Sequence, residues 1–288
     1  MEKMKRLSFL LLFLFVLPIA IGQLPFPNNK VATAPEEQKY MVYAAPQNVT
    51  EEELVNENPD PDLSAEPDLD PIQQLQPSTP FNVLMLYTHS HESYKPIVEQ
   101  TKGLTASYDH YDDQTNIFSM QDMMKNYLQL NGITPSVLDF DVMGNGAKLN
   151  QSYKIVRPVL AEQLTKQKYD LILDLHRDSV PAKATTLVRD GESYAKIAFV
   201  VGAEHSGYKS NLAYATKLSE QLNQMVPGIS RGIIKKEGEK VNGIYNQDLS
   251  PVMLLIEFGG IDNNEQELER TMAVLAKAIA KAFVETAI

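Results

Sequence analysis

Three apolar stretches of the chain end in residues whose side chains bind metals or exchange protons. The first is followed by His89 and, three positions later, by Glu92; the second ends at His176 and the third at Glu257. Each stretch has the run of apolar residues that is typical of a buried strand. If the three strands lie in one parallel sheet, their ends meet at one edge and these side chains form a single site.

Two imidazoles and one carboxylate, from His89, Glu92 and His176, are the ligand types of a catalytic zinc site with an open fourth position. Hydrolysis at such a site also needs a carboxylate that takes a proton from water and returns it to the leaving amine. Glu257 is our candidate for this base. An unpaired buried carboxylate costs several kcal/mol, so stability alone does not explain its place at the end of an apolar strand.

His91 is a rival to Glu92 as the third ligand. Residues two apart on an extended segment share a face, so His89 and His91 could both point inward, and their spacing is also typical of metal sites. Residue types favour Glu92, because it completes the ligand set of zinc hydrolases, but the spacing leaves both alternatives open.

The residues around His176 have candidate roles too. Asp174 lies two positions before it on the same strand face and is a candidate to orient the ligand histidine. Arg177 follows it directly, with three possible roles: it stabilises an oxyanion, it holds a substrate carboxylate, or it pairs with Asp178. The first two roles make Arg177 a candidate catalytic residue beside Glu257.

The elements that must position these residues are predicted from hydrophobic periodicity. Strands and helices alternate from residue 81 onward, which predicts an α/β fold. We predict strands at 81–87, 133–140, 169–175, 184–188, 195–201, 232–235 and 252–256, and helices at 116–131, 152–168, 211–225 and 264–286.

Several local features refine this prediction. Residues 184–188 and 195–201 are predicted to form a hairpin, and residues 237–248 a loop over the site. Pro158 predicts a kink in the second helix or a start near Arg157. Asn264 and Glu267 predict a capping box at the start of the last helix.

The composition excludes several classes of function. The 288 residues carry a formal net charge of -11, whereas nucleic acids bind basic surfaces, so we expect no nucleic-acid partner. The sequence contains no cysteine, which excludes disulfides, thiol catalysis and cysteine-ligated zinc. A bound metal must therefore be held by His, Asp or Glu.

The first 79 residues differ in composition from the rest. Residues 1–22 start with basic side chains and continue as an apolar run, which is typical of a signal peptide or, as we prefer, an uncleaved signal-anchor. Residues 23–79 combine acidic residues with proline, which predicts a disordered tether. We expect a single-pass membrane protein whose domain of residues 80–288 is extracytoplasmic, or a secreted protein if the signal is cleaved.

Three sequence blocks resemble the stage II sporulation protein P family. They are Tyr87–Tyr94, Asp174–Asp178 and Ile256–Asn263, and the resemblance covers residues 80–288. The family is similar to zinc-dependent N-acetylmuramoyl-L-alanine amidases, which share an α/β fold with zinc carboxypeptidases. The resemblance implies a three-layer αβα domain with a mixed, mostly parallel sheet.

The resemblance also implies a function. The members of this family are cell-wall hydrolases that act in forespore engulfment during sporulation. They cut the amide between N-acetylmuramic acid and L-alanine, as well as peptide cross-links. The implied partners are peptidoglycan and a lytic transglycosylase, stage II sporulation protein D. Carried over by position, His89, Glu92 and His176 would hold Zn²⁺, and Glu257 would be the catalytic carboxylate. The chain is short for this family and has a compact middle.

Two other functions remain open from the sequence. A zinc carboxypeptidase acting on wall peptides would use the same ligands, with Arg177 as the candidate that binds the terminal carboxylate. A catalytically inactive wall-binding scaffold would need neither the metal nor Glu257. Zinc is inferred from the ligand types alone, and these also suit manganese or iron.

Overall fold

The computed structural model describes residues 80–103, 111–239 and 241–285. The signal and the tether predicted for residues 1–22 and 23–79 lie outside these described residues. Within the described ranges, no helix combines the length and the apolar character that crossing a bilayer requires.

A mixed β-sheet lies at the centre of the domain. The strands are β1 (Phe81–Leu86), β2 (Ile133–Val137), β3 (Leu171–Asp178), β4 (Thr186–Arg189), β5 (Glu192–Ala195), β6 (Ile197–Gly202), β7 (Ser230–Lys236) and β8 (Met253–Gly260). Six of them form one sheet in the order β2-β1-β3-β8-β6-β7. Neighbouring strands are parallel except β6 and β8, which are antiparallel, so the sheet is mixed and mostly parallel as predicted.

Helices cover both faces of this sheet. They are α1 (Lys95–Lys102), α2 (Gln121–Leu130), α3 (Ser152–Lys166), α4 (Ala182–Thr185), α5 (Tyr208–Met225) and α6 (Glu265–Ile279), with 3₁₀ turns at Phe118–Met120, Leu149–Gln151 and Gln247–Leu249 and a π-helical turn at Ala280–Val284. Buried side chains of α2, α5 and α6 pack on one face, and those of α3 pack on the other. The fold is therefore the three-layer αβα arrangement that we expected.

Alternation of side chains along β3 decides which layer contains the site. Leu173 and Leu175 pack in the core with α2, α5 and α6, whereas Ile172 packs in the smaller core with α3. Because successive side chains of a strand point to opposite faces, Asp174 and His176 are directed toward the α3 layer. The candidate ligand of β3 therefore lies on the side of the sheet that α3 covers.

The predicted hairpin is only partly correct. Strands β4 and β5 pair with each other in a separate antiparallel sheet, but the second predicted strand, 195–201, is not the partner of the first. Residues 197–202 instead form β6, whose residues are all buried and which pairs with β7 and β8 in the main sheet. A fully apolar run of this kind suits an interior strand better than one arm of a peripheral hairpin.

The starts of two helices test the local predictions. Helix α3 begins at Ser152 and contains Pro158, so the predicted start near Arg157 is wrong. Pro158 is exposed, so the backbone carbonyl that loses its N–H partner there can bond to water. The capping box of α6 is confirmed: the side chain of Asn264 accepts the backbone N–H of Glu267, and the Glu267 carboxylate accepts that of Asn264.

Candidate functional site

The ends of β1, β3 and β8 meet at one edge of the sheet. Strand β3 lies between the other two, and its His176 is the register partner of Glu257 on β8. His89 and Glu92 follow β1 in a turn, in which the N–H of Glu92 donates to the carbonyl of His89 at 3.0 Å. The sheet therefore brings together the four side chains that the sequence placed at three separate strand ends.

Three of these side chains form a tight cluster. Nδ1 of His89 lies 3.0 Å from Oε1 of Glu92 and 3.1 Å from Nδ1 of His176. Nδ1 of His176 lies 3.6 Å from Oε2 of Glu92. A tetrahedral zinc ion with ligand bonds of about 2.0–2.1 Å separates its donor atoms by about 3.3 Å. The spacing of the three donors thus fits such an ion, and together they could hold a metal.

Asp174, in the buried middle of β3, contacts both the turn after β1 and His176. Its Oδ1 accepts the backbone N–H of Thr88 at 2.9 Å, and its Oδ2 accepts the Thr88 hydroxyl at 2.7 Å. The same Oδ1 lies 3.2 Å from Nε2 of His176, the ring nitrogen that faces away from the cluster. A proton on Nε2 leaves Nδ1 with a lone pair for a metal, which is the orienting role that we predicted for Asp174.

His91 lies outside the cluster. Its Nε2 is 2.9 Å from Oδ2 of Asp141, and the hydroxyl of Ser90 donates to the other oxygen of that carboxylate at 2.6 Å. Glu92 instead lies within the cluster, where its Oε2 also accepts the backbone N–H of Arg177 at 2.7 Å. The geometry therefore supports Glu92 over His91 as the third ligand candidate.

The two carboxylates of the site are in opposite electrostatic environments. Burial alone would raise the pKa of Glu92, but hydrogen bonds and charges from His176 and His89 outweigh it and lower that pKa well below its ordinary value. Burial raises the pKa of Glu257 from 4.5 to about 7, with Glu92 adding to the rise and His176 opposing it. Oε2 of Glu257 is buried and accepts no hydrogen bond from any described residue. Glu92 is thus suited to hold a cation, and Glu257 to exchange a proton near neutral pH.

Arg177 contacts the cluster through its backbone. Arg177 is only 3% exposed, and side-chain alternation along β3 directs its guanidinium to the sheet face opposite His176. Its Nη1 donates to the backbone carbonyl of Asp178 at 3.4 Å, whereas the carboxylate of Asp178 pairs with Arg231. The observed contribution of Arg177 is the N–H that fixes Glu92, and a catalytic role for its guanidinium stays a prediction.

Tyr153 is a site residue that our sequence analysis missed. Its hydroxyl lies 3.3 Å from Nε2 of His176, and burial raises the pKa of this hydroxyl well above 10, so it stays protonated. The missed signal was helical spacing: Tyr153, Val156 and Leu160 lie on one face of α3, and the last two are fully buried.

The loop predicted over the site contacts Tyr153. The ring of Tyr245 packs edge-on against Tyr153 with centroids 5.3 Å apart, and Nδ2 of Asn246 donates to the Tyr153 carbonyl at 2.9 Å. Tyr245 and Asn246 have φ values of 51° and 57°, in the left-handed region that costs energy for residues other than glycine. These contacts hold the strained turn beside the cluster.

A cavity of about 520 Å³ opens next to His89. It is lined by His89, Lys148, Leu149, Asn150, Tyr153 and Asn242. Its volume falls within the range of small-ligand pockets, and its walls combine a cation, two amides and an aromatic ring. The cluster therefore borders a space large enough for part of a substrate.

A comparison with solved structures finds two chains of low sequence identity, among others. One is the N-acetylmuramoyl-L-alanine amidase from Clostridium difficile 630, with 13% identity, coverage of 73% of this chain and 98% of that chain, and a TM-score of 0.43. The other is a metallo-carboxypeptidase from Burkholderia cenocepacia, with 10% identity, coverage of 74% of this chain and 59% of that chain, and a TM-score of 0.39.

Sequence comparison gives a clearer relationship. The profile of the family "Stage II sporulation protein P (SpoIIP)" matches residues 23–280. The stage II sporulation protein P of Bacillus subtilis (strain 168) is 36% identical over 208 residues, which cover 70% of this chain and 50% of the relative. The chain thus spans about half the length of the curated relative that it matches. On the family match and this identity, the chain belongs to the stage II sporulation protein P family.

Proposed function

We propose that this protein is a zinc-dependent peptidoglycan hydrolase that cleaves the amide between N-acetylmuramic acid and L-alanine, with peptide cross-links as further targets. The convergence of His89, Glu92 and His176 at zinc-like spacings, one strand away from Glu257, carries this proposal. Membership of a sporulation protein family supports the biological setting, which is wall hydrolysis during forespore engulfment.

His89, Glu92 and His176 would hold the zinc. Bound there, zinc would supply Lewis-acid chemistry, which polarises a carbonyl and lowers the pKa of water from about 15.7 toward about 7. The low pKa of Glu92 keeps it ionised, and the contacts of Asp174 keep Nδ1 of His176 directed into the cluster. These features prepare the site for a divalent cation before substrate arrives.

Glu257 is the general base and acid of this proposal. Its carboxylate is partly buried and has a pKa of about 7, and its Oε2 accepts no hydrogen bond from a described residue. This carboxylate takes the proton of the attacking water. It then returns the proton to the departing amine. Tyr153 places a protonated hydroxyl beside His176, at the boundary between the cluster and the cavity.

The proposal extends to location and partners. Residues 1–22 would attach the chain to the membrane and residues 23–79 would act as a tether, so that the hydrolase domain faces the wall. Peptidoglycan is then the substrate within its reach, and a lytic transglycosylase such as stage II sporulation protein D would be its partner. This part of the proposal depends on composition and on the family resemblance.

Digestion of purified peptidoglycan tests the function directly. The full chain, loaded with zinc, is compared with the chelator-treated chain and with Glu257→Gln, and the soluble products are identified by mass spectrometry. We expect intact stem peptides with a free L-alanine amino end from the zinc-loaded chain only.

The products separate the alternatives. Release of single C-terminal residues would instead indicate the carboxypeptidase. Wall binding with no released peptide, equal for the parent and Glu257→Gln, would contradict hydrolysis and leave the scaffold function.

A further inference from the structure

Arg231 lies at the same sheet edge as the metal cluster. Strand β6 is antiparallel to β8, so β6 and its parallel neighbour β7 begin where β3 and β8 end. Ile197, the first residue of β6, pairs with Phe258 on one side and with Ser230 on the other. Arg231 follows Ser230 as the second residue of β7, so it lies at the edge that carries Glu257.

A bulge directs Arg231 out of the regular ladder. Between the pairs Ile197–Ser230 and Phe199–Ile233, β6 has one intervening residue and β7 has two, Arg231 and Gly232. Gly232 has a φ of 86°, which L-amino acids rarely adopt, so glycine is suited to this bulge. Bulges commonly change the direction of a side chain at the end of a sheet.

One strand, β6, separates Arg231 on β7 from Glu257 on β8. Glu257 is the register partner of Ala198 on β6, so its neighbour on that face of the sheet is a single methyl group. The guanidinium of Arg231 pairs with the carboxylate of Asp178, two residues after His176, and its charge acts on Glu257. The backbone of Arg231 therefore lies on the side of Glu257 away from His89, and its guanidinium reaches back along the edge to the end of β3.

The guanidinium has unused hydrogen-bonding capacity. Its side chain is 17% exposed, and its contact to a carboxylate runs from Nη2 to Asp178. Its Nε is buried and has no acceptor among the described residues. A buried donor without an acceptor is costly, and a guanidinium offers five N–H groups in a fork that matches a carboxylate.

We propose that Arg231 binds a carboxylate of the substrate's peptide, on the leaving-amine side of the scissile bond. The inference rests on the proposed hydrolase function and on the order of groups along the edge. The ligand cluster lies on β1 and β3, Glu257 on β8 and Arg231 on β7. Since Glu257 protonates the departing amine, the peptide extends toward β7, and the cavity beside His89 receives the acyl side.

Matched substrates test this inference with the full, zinc-loaded chain. One is a muramoyl peptide with free carboxylates, and the other is the same molecule with each carboxylate converted to its methyl amide. We expect Arg231→Ala to lower kcat/KM on the free acid by about 10- to 100-fold, mainly through KM, as for the loss of a charged hydrogen bond. On the methyl amide the loss should be at least about 5-fold smaller, because Arg231 then acts only through its charge on Glu257 and contacts no substrate carboxylate.

Control variants separate substrate binding from a purely structural ion pair. Lys235→Ala removes an exposed cation from the same strand and should leave both rates unchanged. Asp178→Asn breaks the same ion pair but keeps the cation. It should therefore lower kcat/KM on the free acid by less than Arg231→Ala does. An equal loss for Arg231→Ala on both substrates would overturn the inference.

The parent chain alone provides a second criterion that needs no variant. If it cleaves the methyl amide as efficiently as the free acid, Arg231 binds no substrate carboxylate and the inference fails. If the parent cleaves neither substrate, the proposed function itself fails, which is a distinguishable result.

Discussion

His176 and Glu257 are register partners on adjacent parallel strands. The backbone ladder of β3 and β8 therefore fixes the distance between the ligand candidate and the base candidate, independently of side-chain packing. The register shifts only after this pair, between His176 and Asp178. A site built on two central strands is positioned more rigidly than one built on loops, which suits chemistry that depends on a proton transfer.

Replacing Glu257 with glutamine should abolish hydrolysis while leaving the metal in place. General acid–base groups contribute about 10²- to 10⁴-fold to rate, so kcat should fall within or beyond that range. Glutamine keeps the size of the side chain and does not disturb His89, Glu92 or His176. The measurement is turnover of a muramoyl peptide together with zinc content by atomic emission. Loss of zinc along with activity would show that Glu257 acts as a ligand.

The same variant should stabilise the metal-free protein at high pH. The folded pKa of Glu257 is raised from 4.5 to about 7, so its ionisation opposes folding. The penalty is absent below about pH 4.5, grows as pH rises, and is complete above about pH 7, where it is about 3 kcal/mol at about 1.4 kcal/mol per pKa unit.

Thermal unfolding of the chelator-treated chain at pH 5 and pH 8 measures this effect. Glu257→Gln should raise the Tm more at pH 8 than at pH 5, whereas Glu220→Gln, at an exposed position of α5, should change neither. A Tm difference that is equal at both pH values would mean that Glu257 ionises normally in the folded protein.

The strand ends were predictable from the sequence because their signal is local. Each is an apolar run that stops at His, Glu or a turn, and a parallel sheet then brings the ends to one edge. The capping box of α6 was predictable for the same reason, since Asn264 and Glu267 satisfy each other's backbone within one turn.

Residues whose role depends on distant contacts could not be predicted in this way. Arg231 is separated from Asp178 by 53 residues, and the contact depends on a bulge that no residue pattern indicates. Tyr153 reaches His176 only because α3 packs over β3. The position of Arg177 after His176 did not indicate that its backbone N–H would donate to Glu92, because that contact depends on how the turn after β1 packs against β3.

The choice of Glu92 over His91 as ligand is testable with two alanine variants. Glu92→Ala removes one donor from the cluster and should weaken zinc binding by more than about 100-fold, since even supporting residues are worth 10- to 100-fold. His91→Ala breaks the contact to Asp141 at 2.9 Å but leaves the three donors in place. It should retain close to one zinc per chain after dialysis. Loss of zinc from His91→Ala, with retention in Glu92→Ala, would reverse the assignment.

Asp174 should act on the metal through His176, and a second aspartate on the preceding loop provides its control. Asp174 accepts the N–H of Thr88 at one end of β1, and Asp170 accepts the N–H of Asn82 at the other end. Both are carboxylates that tie the β3 segment to β1, but only Asp174 also approaches Nε2 of His176. Asparagine at either position removes the charge and keeps the size.

Asp174→Asn should weaken zinc binding about 10- to 100-fold, because it removes the charge that favours a proton on Nε2 of His176. Asp170→Asn should leave zinc affinity unchanged and affect only stability, by about 1.5–3 kcal/mol for a hydrogen bond to a charged group. Competition with a chelator of known affinity measures the first effect, and urea unfolding of the metal-free chains measures the second. If both variants lose zinc affinity equally, Asp174 supports the sheet and has no separate effect on the metal ligand.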